Sequence, residues 1–245
     1  MTFQPKNIVV CLDGTGNQIE ENISNVLKLY RCLHKGTGSS KSQIAYYDQG
    51  VGTIGYKSRW HAFRQKTDEV LGLAMGTGLD RNVIEAYTFI AKHYSEESDD
   101  GSDRIYIFGY SRGAHTARVL AAFIYNVGLL RPEQLHLVGA ALTAYKKADP
   151  QDYDNEVSHI RRTLQPRTVP IEFIGAWDTV SSVIVPGSKT IMPTAEALPN
   201  TRVNPGVKAF RHAMSIDEAR YMFRLDMWQE DQEFQPNPFS QGNAS

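Results

Sequence analysis

Gly109-Tyr110-Ser111-Arg112-Gly113 is the segment of this sequence best suited to chemistry. It fits the pattern G-x-S-x-G, in which a serine sits on a turn so sharp that side chains at the flanking positions would collide with the chain. A hydroxyl raised on such a turn attacks an acyl carbon once a base takes its proton, and the base needs a carboxylate to fix its tautomer. The context agrees with the letters. Arg104 to Phe108, apolar from Ile105 onward, is short enough for a buried strand, and the alanine-rich stretch from Arg112 to Asn126 predicts a helix ending near Gly128. Ser111 then stands at a helix N-terminus, where the N–H of Arg112 faces a developing oxyanion.

In this arrangement the acid and then the histidine follow the serine in chain order. Asp178 comes just after Val169 to Gly175, which reads as another central strand, so a parallel sheet would carry it to the same edge as Ser111. The competing reading is an aspartate that caps its own turn. His212 is the one histidine after Asp178 and the in-order candidate for the base, although Phe210, Ala213, Met214 and Asp217 suggest that a helix starts there. His115 would lie one turn down the elbow helix, a packed or solvated position. Asp13-Gly14-Thr15-Gly16-Asn17 closes the first apolar run, and its glycines predict open backbone N–H groups, so Gly14 or Thr15 could supply a second oxyanion donor; a plain turn is the alternative.

The elements that must position these residues alternate. Asn7 to Leu12 reads as a fully buried strand, and Val26, Leu29, Tyr30 and Leu33 repeat at helical spacing behind a cap at Ser24 or Asn25. Ile44 to Tyr47 reads as a second strand. Val83, Ile84, Tyr87, Ile90 and Ala91 mark a helix that stops before the polar loop 95 to 102, and weaker helices are expected around 135–145 and 157–164. Residues 181–205 hold four prolines and no period, which suggests a long loop or cap insertion. Strands apolar on both faces, alternating with helices, predict an α/β fold with a mostly parallel central sheet and helices on both faces, in a single domain over 1–245.

Composition narrows the partners. With 26 basic and 27 acidic side chains among 245 residues, the sequence lacks the basic excess that binds phosphate backbones, so nucleic acid is not an expected partner. Cys11 and Cys32 cannot build a disulfide framework and read as buried thiols. No metal-ligand spacing occurs, and neither a metal nor a cofactor is expected. No run is long and apolar enough to span a bilayer, and the N-terminus reads as a strand rather than a signal peptide. A cytoplasmic location is the default, with export by a signal-independent route as the alternative.

Three rival motifs fail on their details. Asp13-Gly14-Thr15 is like the loop of phosphatases that attack with an aspartate, but Cys11 stands at the attacking position. Residues 50–55 fit G-x-G-x-x-G without a close-packed helix behind them. Residues 36–42 resemble a phosphate loop, yet Ser40 replaces the glycine before Lys41.

The segments VVCLDGTGN, NVLKLYRCL, YYDQGVGT, DRIYIFGYSRGAHTAR, FIGAWDTV and RHAMSIDEAR, in this order over positions 8 to 220, resemble an α/β-hydrolase family long known only as a domain of unknown function. That family includes the catalytic domain of Tle1-type phospholipase effectors of type VI secretion. The resemblance implies an α/β-hydrolase fold, with Ser111 as nucleophile and Asp178 as acid. It also implies hydrolysis of lipid or phospholipid esters through an acyl-enzyme, with peripheral membrane contact. A carboxylesterase for small soluble esters and an inactive hydrolase scaffold used for binding are the alternatives. The family's catalytic histidine lies in a G-x-H-S-D-x-G-G-G-like loop that has no counterpart before Ser245. The expectation is therefore a chain truncated at its C-terminus, with His212 the base only if the chain is complete.

Overall fold

Alternating burial along the first strand sets the layers of the molecule. In β1 (Asn7–Leu12), Ile8, Val10 and Leu12 enter a large apolar cluster on one face, while Val9 and Cys11 join Val26 on the other. A strand buried on both faces must be central, and β1 lies between β2 (Gln43–Asp48) and β3 (Arg104–Tyr110). β4 (Phe173–Trp177) and β5 (Phe210–Ala213) extend the sheet beyond β3, giving the order β2-β1-β3-β4-β5 with every pair parallel. These relations come from a computed structural model that describes residues 5–14, 23–34, 42–50, 78–96, 101–149, 152–179, 200–216 and 227–238.

Helices cover both faces. α1 (Asn25–Cys32) packs Val26, with Tyr30 beside it, on the Val9 and Cys11 face. Its cap is the expected one, the Ser24 hydroxyl accepting from Leu27 N–H at 3.0 Å. The opposite face carries α2 (Gly78–His93) and α3 (Arg112–Val127), with α4 (Val138–Lys147) and α5 (Tyr153–Leu164) packed outside them. α3 is buried along nearly its whole length, so Ala114, Ala117 and Ala121 let it approach the strands where larger residues would not fit. The expected α/β architecture is present. No helix among the described residues is long and apolar enough to cross a membrane.

Three local expectations need correction. Phe210–Ala213 is a strand, not a helix start: it adds to the edge of β4, and its half-buried Phe210 stacks on Trp228 at 4.1 Å. That pairing is non-local and overrides a helical spacing of apolar residues. The fourth strand begins at Phe173 rather than 169. Cys32 is exposed, whereas Cys11 is buried. The cap reading of 181–205 falls mostly outside the described residues, as do the rival motifs at 36–42 and beyond Gly50.

Candidate active site

In a parallel sheet all strands end at one edge, and here that edge gathers the polar residues. β3 ends at Tyr110, and Ser111 follows with φ 54° and ψ −118°, a conformation that costs a non-glycine residue about 1–3 kcal/mol. Close contacts on both sides hold it there. A Cβ on Gly109 would lie 2.5 Å from Ala114 Cα, and one on Gly113 would lie 2.2 Å from Leu12 O. The two glycines of the pentapeptide are thus required by the approach of α3 to its own strand and to the end of β1. The Ser111 N–H donates to Trp177 O at 2.8 Å, joining the elbow to the end of β4. Arg112 is the first residue of α3, so its N–H has no acceptor within the helix.

Asp13 and Gly14 arrive from the end of β1. A methyl on Gly14 would lie 3.4 Å from Ser111 Cβ and 3.1 Å from the Tyr110 ring, so this loop abuts the serine. The Gly14 N–H is engaged, donating to Asp13 Oδ1 at 2.8 Å. Asp13 is fully buried, and its Oδ2 accepts from the Tyr47 hydroxyl at 2.7 Å and from the Ser24 hydroxyl at 2.5 Å. Burial first, then the bond to Asp13 and its charge, pushes the Tyr47 phenol far above its ordinary range. The carboxylate therefore ties the β1 loop to β2 and to the cap of α1. Thr15, the other expected donor, lies outside the described residues.

Asp178 follows β4 directly, also with positive φ, 46°. Its N–H donates to Ala213 O at 2.9 Å. The next N–H, of Thr179, donates to Nε2 of His212 at 3.2 Å. His212 sits within β5 opposite Ala176, two strands from the elbow, roughly 10 Å away across the sheet. The structure thus brings Ser111, Arg112, Gly14 and Asp178 to one edge and turns His212 toward the Asp178 turn. His115 is on the first turn of α3, partly buried.

Two residues of consequence escaped sequence reasoning. Tyr47 had a signal, a polar aromatic at the end of a strand, but its partner Asp13 is 34 residues away. Arg118 is fully buried in α3; its Nε donates to Thr201 O at 2.9 Å and its Nη2 to Met227 O at 3.1 Å, and its guanidinium lies over Phe210 and Trp228. It fastens the segment that carries β5 to the elbow helix. Among the described residues, no cluster of three or more His, Cys, Asp or Glu could hold a metal ion.

Residues 6–244 match the type VI secretion system family described as phospholipase effector Tle1-like, catalytic domain. The chain belongs to this family. A relative from Saccharomyces cerevisiae, "Uncharacterized protein YEL023C", is 33% identical over 232 residues, covering 89% of this chain and 32% of its own length. Among solved structures, an uncharacterized protein from Pseudomonas aeruginosa is similar at TM-score 0.42 and 20% identity, over 91% of this chain and 37% of that one. The Tle1 effector bound to the VgrG spike is similar at TM-score 0.37 and 18% identity, over 91% and 47%. The Tle1-like chain thus spans about a third of the length of the curated relative it matches.

Proposed function

We propose that this Tle1-like chain is a serine hydrolase domain that cleaves lipid or phospholipid esters through an acyl-enzyme on Ser111. The observation that carries the reading is the strained serine between β3 and α3, with the Arg112 N–H beside it and Asp178 at the end of the next strand. Family membership supports the phospholipid class of substrate. In this mechanism the Ser111 hydroxyl loses its proton to a histidine and attacks the ester carbonyl. The Arg112 N–H and a donor from Gly14 or Thr15 stabilise the oxyanion, which collapses as the histidine returns the proton to the leaving alcohol. Water, activated by the same histidine, then releases the acid. Asp178 holds that histidine in the reacting tautomer. Gly14 takes part by exchanging Asp13 for the oxyanion.

His212 directs its Nε2 lone pair at the Thr179 N–H, so we assign the base to a histidine other than His212. That same bond favours a second reading, a hydrolase scaffold that binds without turnover. Exposed Met214 and Ile216, just past β5 at the active edge, support peripheral contact with lipid, and the effector family supports export by a route without a cleaved signal. Fatty-acid release from phospholipid vesicles, compared between the intact protein and its Ser111→Ala variant, tests the proposal. Release that depends on Ser111 supports hydrolysis; equal release by both, or none by either, rejects it.

A further inference from the structure

The backbone at the end of β4 carries an irregularity that the proposed mechanism leaves unexplained. Along β4 the even-numbered N–H groups point to β5: Ile174 N–H donates to Ala209 O and Asp178 N–H to Ala213 O, each at 2.9 Å. Alternation in a strand would send the N–H of Thr179 the other way, toward β3. It goes instead to β5, where it meets the His212 side chain. The residue that turns the chain is Asp178, through its left-handed φ of 46°. Such a conformation is uncommon outside glycine, although aspartate adopts it more readily than most residues, and contacts from β5 fix it here. Two bonds do so, one to the Ala213 carbonyl and one to the His212 ring.

We propose that His212 is a positioning residue for Asp178: its Nε2 accepts the Thr179 N–H and locks the turn from which the Asp178 carboxylate projects. The inference rests on the hydrolase reading above for the role of Asp178. Three observations make His212 suited to this task and unsuited to being the base. Accepting at Nε2 places the proton of the neutral ring on Nδ1, so the ring's lone pair is already directed at a backbone N–H. Its strand is separated from the elbow by β4. The ring is also held from below, edge-on to Phe210 at 6.0 Å, and Phe210 stacks on Trp228 under the Arg118 guanidinium. Because Arg118 belongs to α3, the helix that presents Ser111 also anchors the cluster that sets Asp178.

The test compares His212→Gln, which keeps an acceptor, with His212→Leu, which does not, in the intact protein. The rate of fluorophosphonate labelling at Ser111 and kcat and KM on a soluble nitrophenyl ester are the readouts. The Gln variant should stay within about threefold of wild type, while Leu should lose about 10- to 100-fold in kcat with KM little changed. A Gln variant as inert as Ser111→Ala would make His212 the base and overturn the proposal. So would a Leu variant equal to wild type, or equal losses in both. Long-range proton–nitrogen NMR of isotope-enriched protein, not treated with fluorophosphonate, reads the tautomer independently of activity: Nδ1–H is expected, and Nε2–H overturns the proposal. Absence of labelling in wild type would instead count against the hydrolase reading, with the tautomer still judging His212.

Discussion

The Ser111 N–H donates to the Trp177 carbonyl at 2.8 Å, so the elbow and the residue before Asp178 are joined by one backbone hydrogen bond. The candidate nucleophile and acid therefore form one rigid unit on adjacent parallel strands, and neither depends on a long loop for its place. Rigid support of this kind is what a reacting pair needs, since errors of an ångström cost orders of magnitude in rate.

Asp178→Asn should preserve that backbone while removing the charge that orients a histidine. The expected result is a fall in kcat of about 10²–10⁴ with little change in melting temperature. Parallel ester-turnover and thermal-denaturation measurements check it; unchanged kcat would remove Asp178 from the mechanism.

Gly113→Ala should damage folding rather than chemistry alone. Its Cβ would stand 2.2 Å from Leu12 O and 2.6 Å from Asp13 O, both backbone atoms of the central strand and its loop. A loss of about 3 kcal/mol or more is expected from urea denaturation, because neither the strand nor α3 can withdraw without unpacking the core.

Tyr47→Phe leaves Asp13 buried with one donor fewer. Stability should drop by about 1–3 kcal/mol, the range for leaving a buried polar group short of a partner. Ester turnover should fall as well, since the same carboxylate holds the Gly14 loop against Ser111. Denaturation and kinetics on the same preparation check both parts; intact stability would show that the Tyr47 bond contributes little.

Alkaline conditions should unfold the protein through its buried phenols. Burial raises the ionisation of Tyr87 and Tyr145 well above the ordinary range, and the Tyr87 hydroxyl also bridges Gly128 O and Leu130 N–H. Above about pH 10 the unfolded chain loses these protons while the folded one keeps them, so the unfolded state binds fewer protons and stability falls as pH rises. The contribution is complete below about pH 10 and declines above it by up to about 1.4 kcal/mol per pH unit for each tyrosine. Urea midpoints from about pH 9 to 11 should show this fall, and Tyr87→Phe should reduce the slope; a flat profile would contradict it.

Sequence was most informative where burial and local geometry act together. β1 reads directly from its apolar run, the Ser24 cap from its residue type, and the elbow from glycines whose absent side chains the packing requires. It was least informative where distant partners decide. Phe210 to Asp217 has helical spacing, yet pairing with β4 and stacking on Trp228 make Phe210–Ala213 a strand, and that change moves His212 from the start of a helix to the side of the Asp178 turn. Likewise, Gly14 promised an open N–H, but Asp13 folds back onto it while gathering Tyr47 and Ser24 from other elements. No local pattern encodes either arrangement.

Peptide-level mass spectrometry after treatment with a fluorophosphonate decides whether Ser111 is the nucleophile. A single phosphonyl adduct is expected on the peptide containing Ser111, lost in Ser111→Ala and slowed by Asp178→Asn. An adduct elsewhere, or one that persists in Ser111→Ala, would contradict that role.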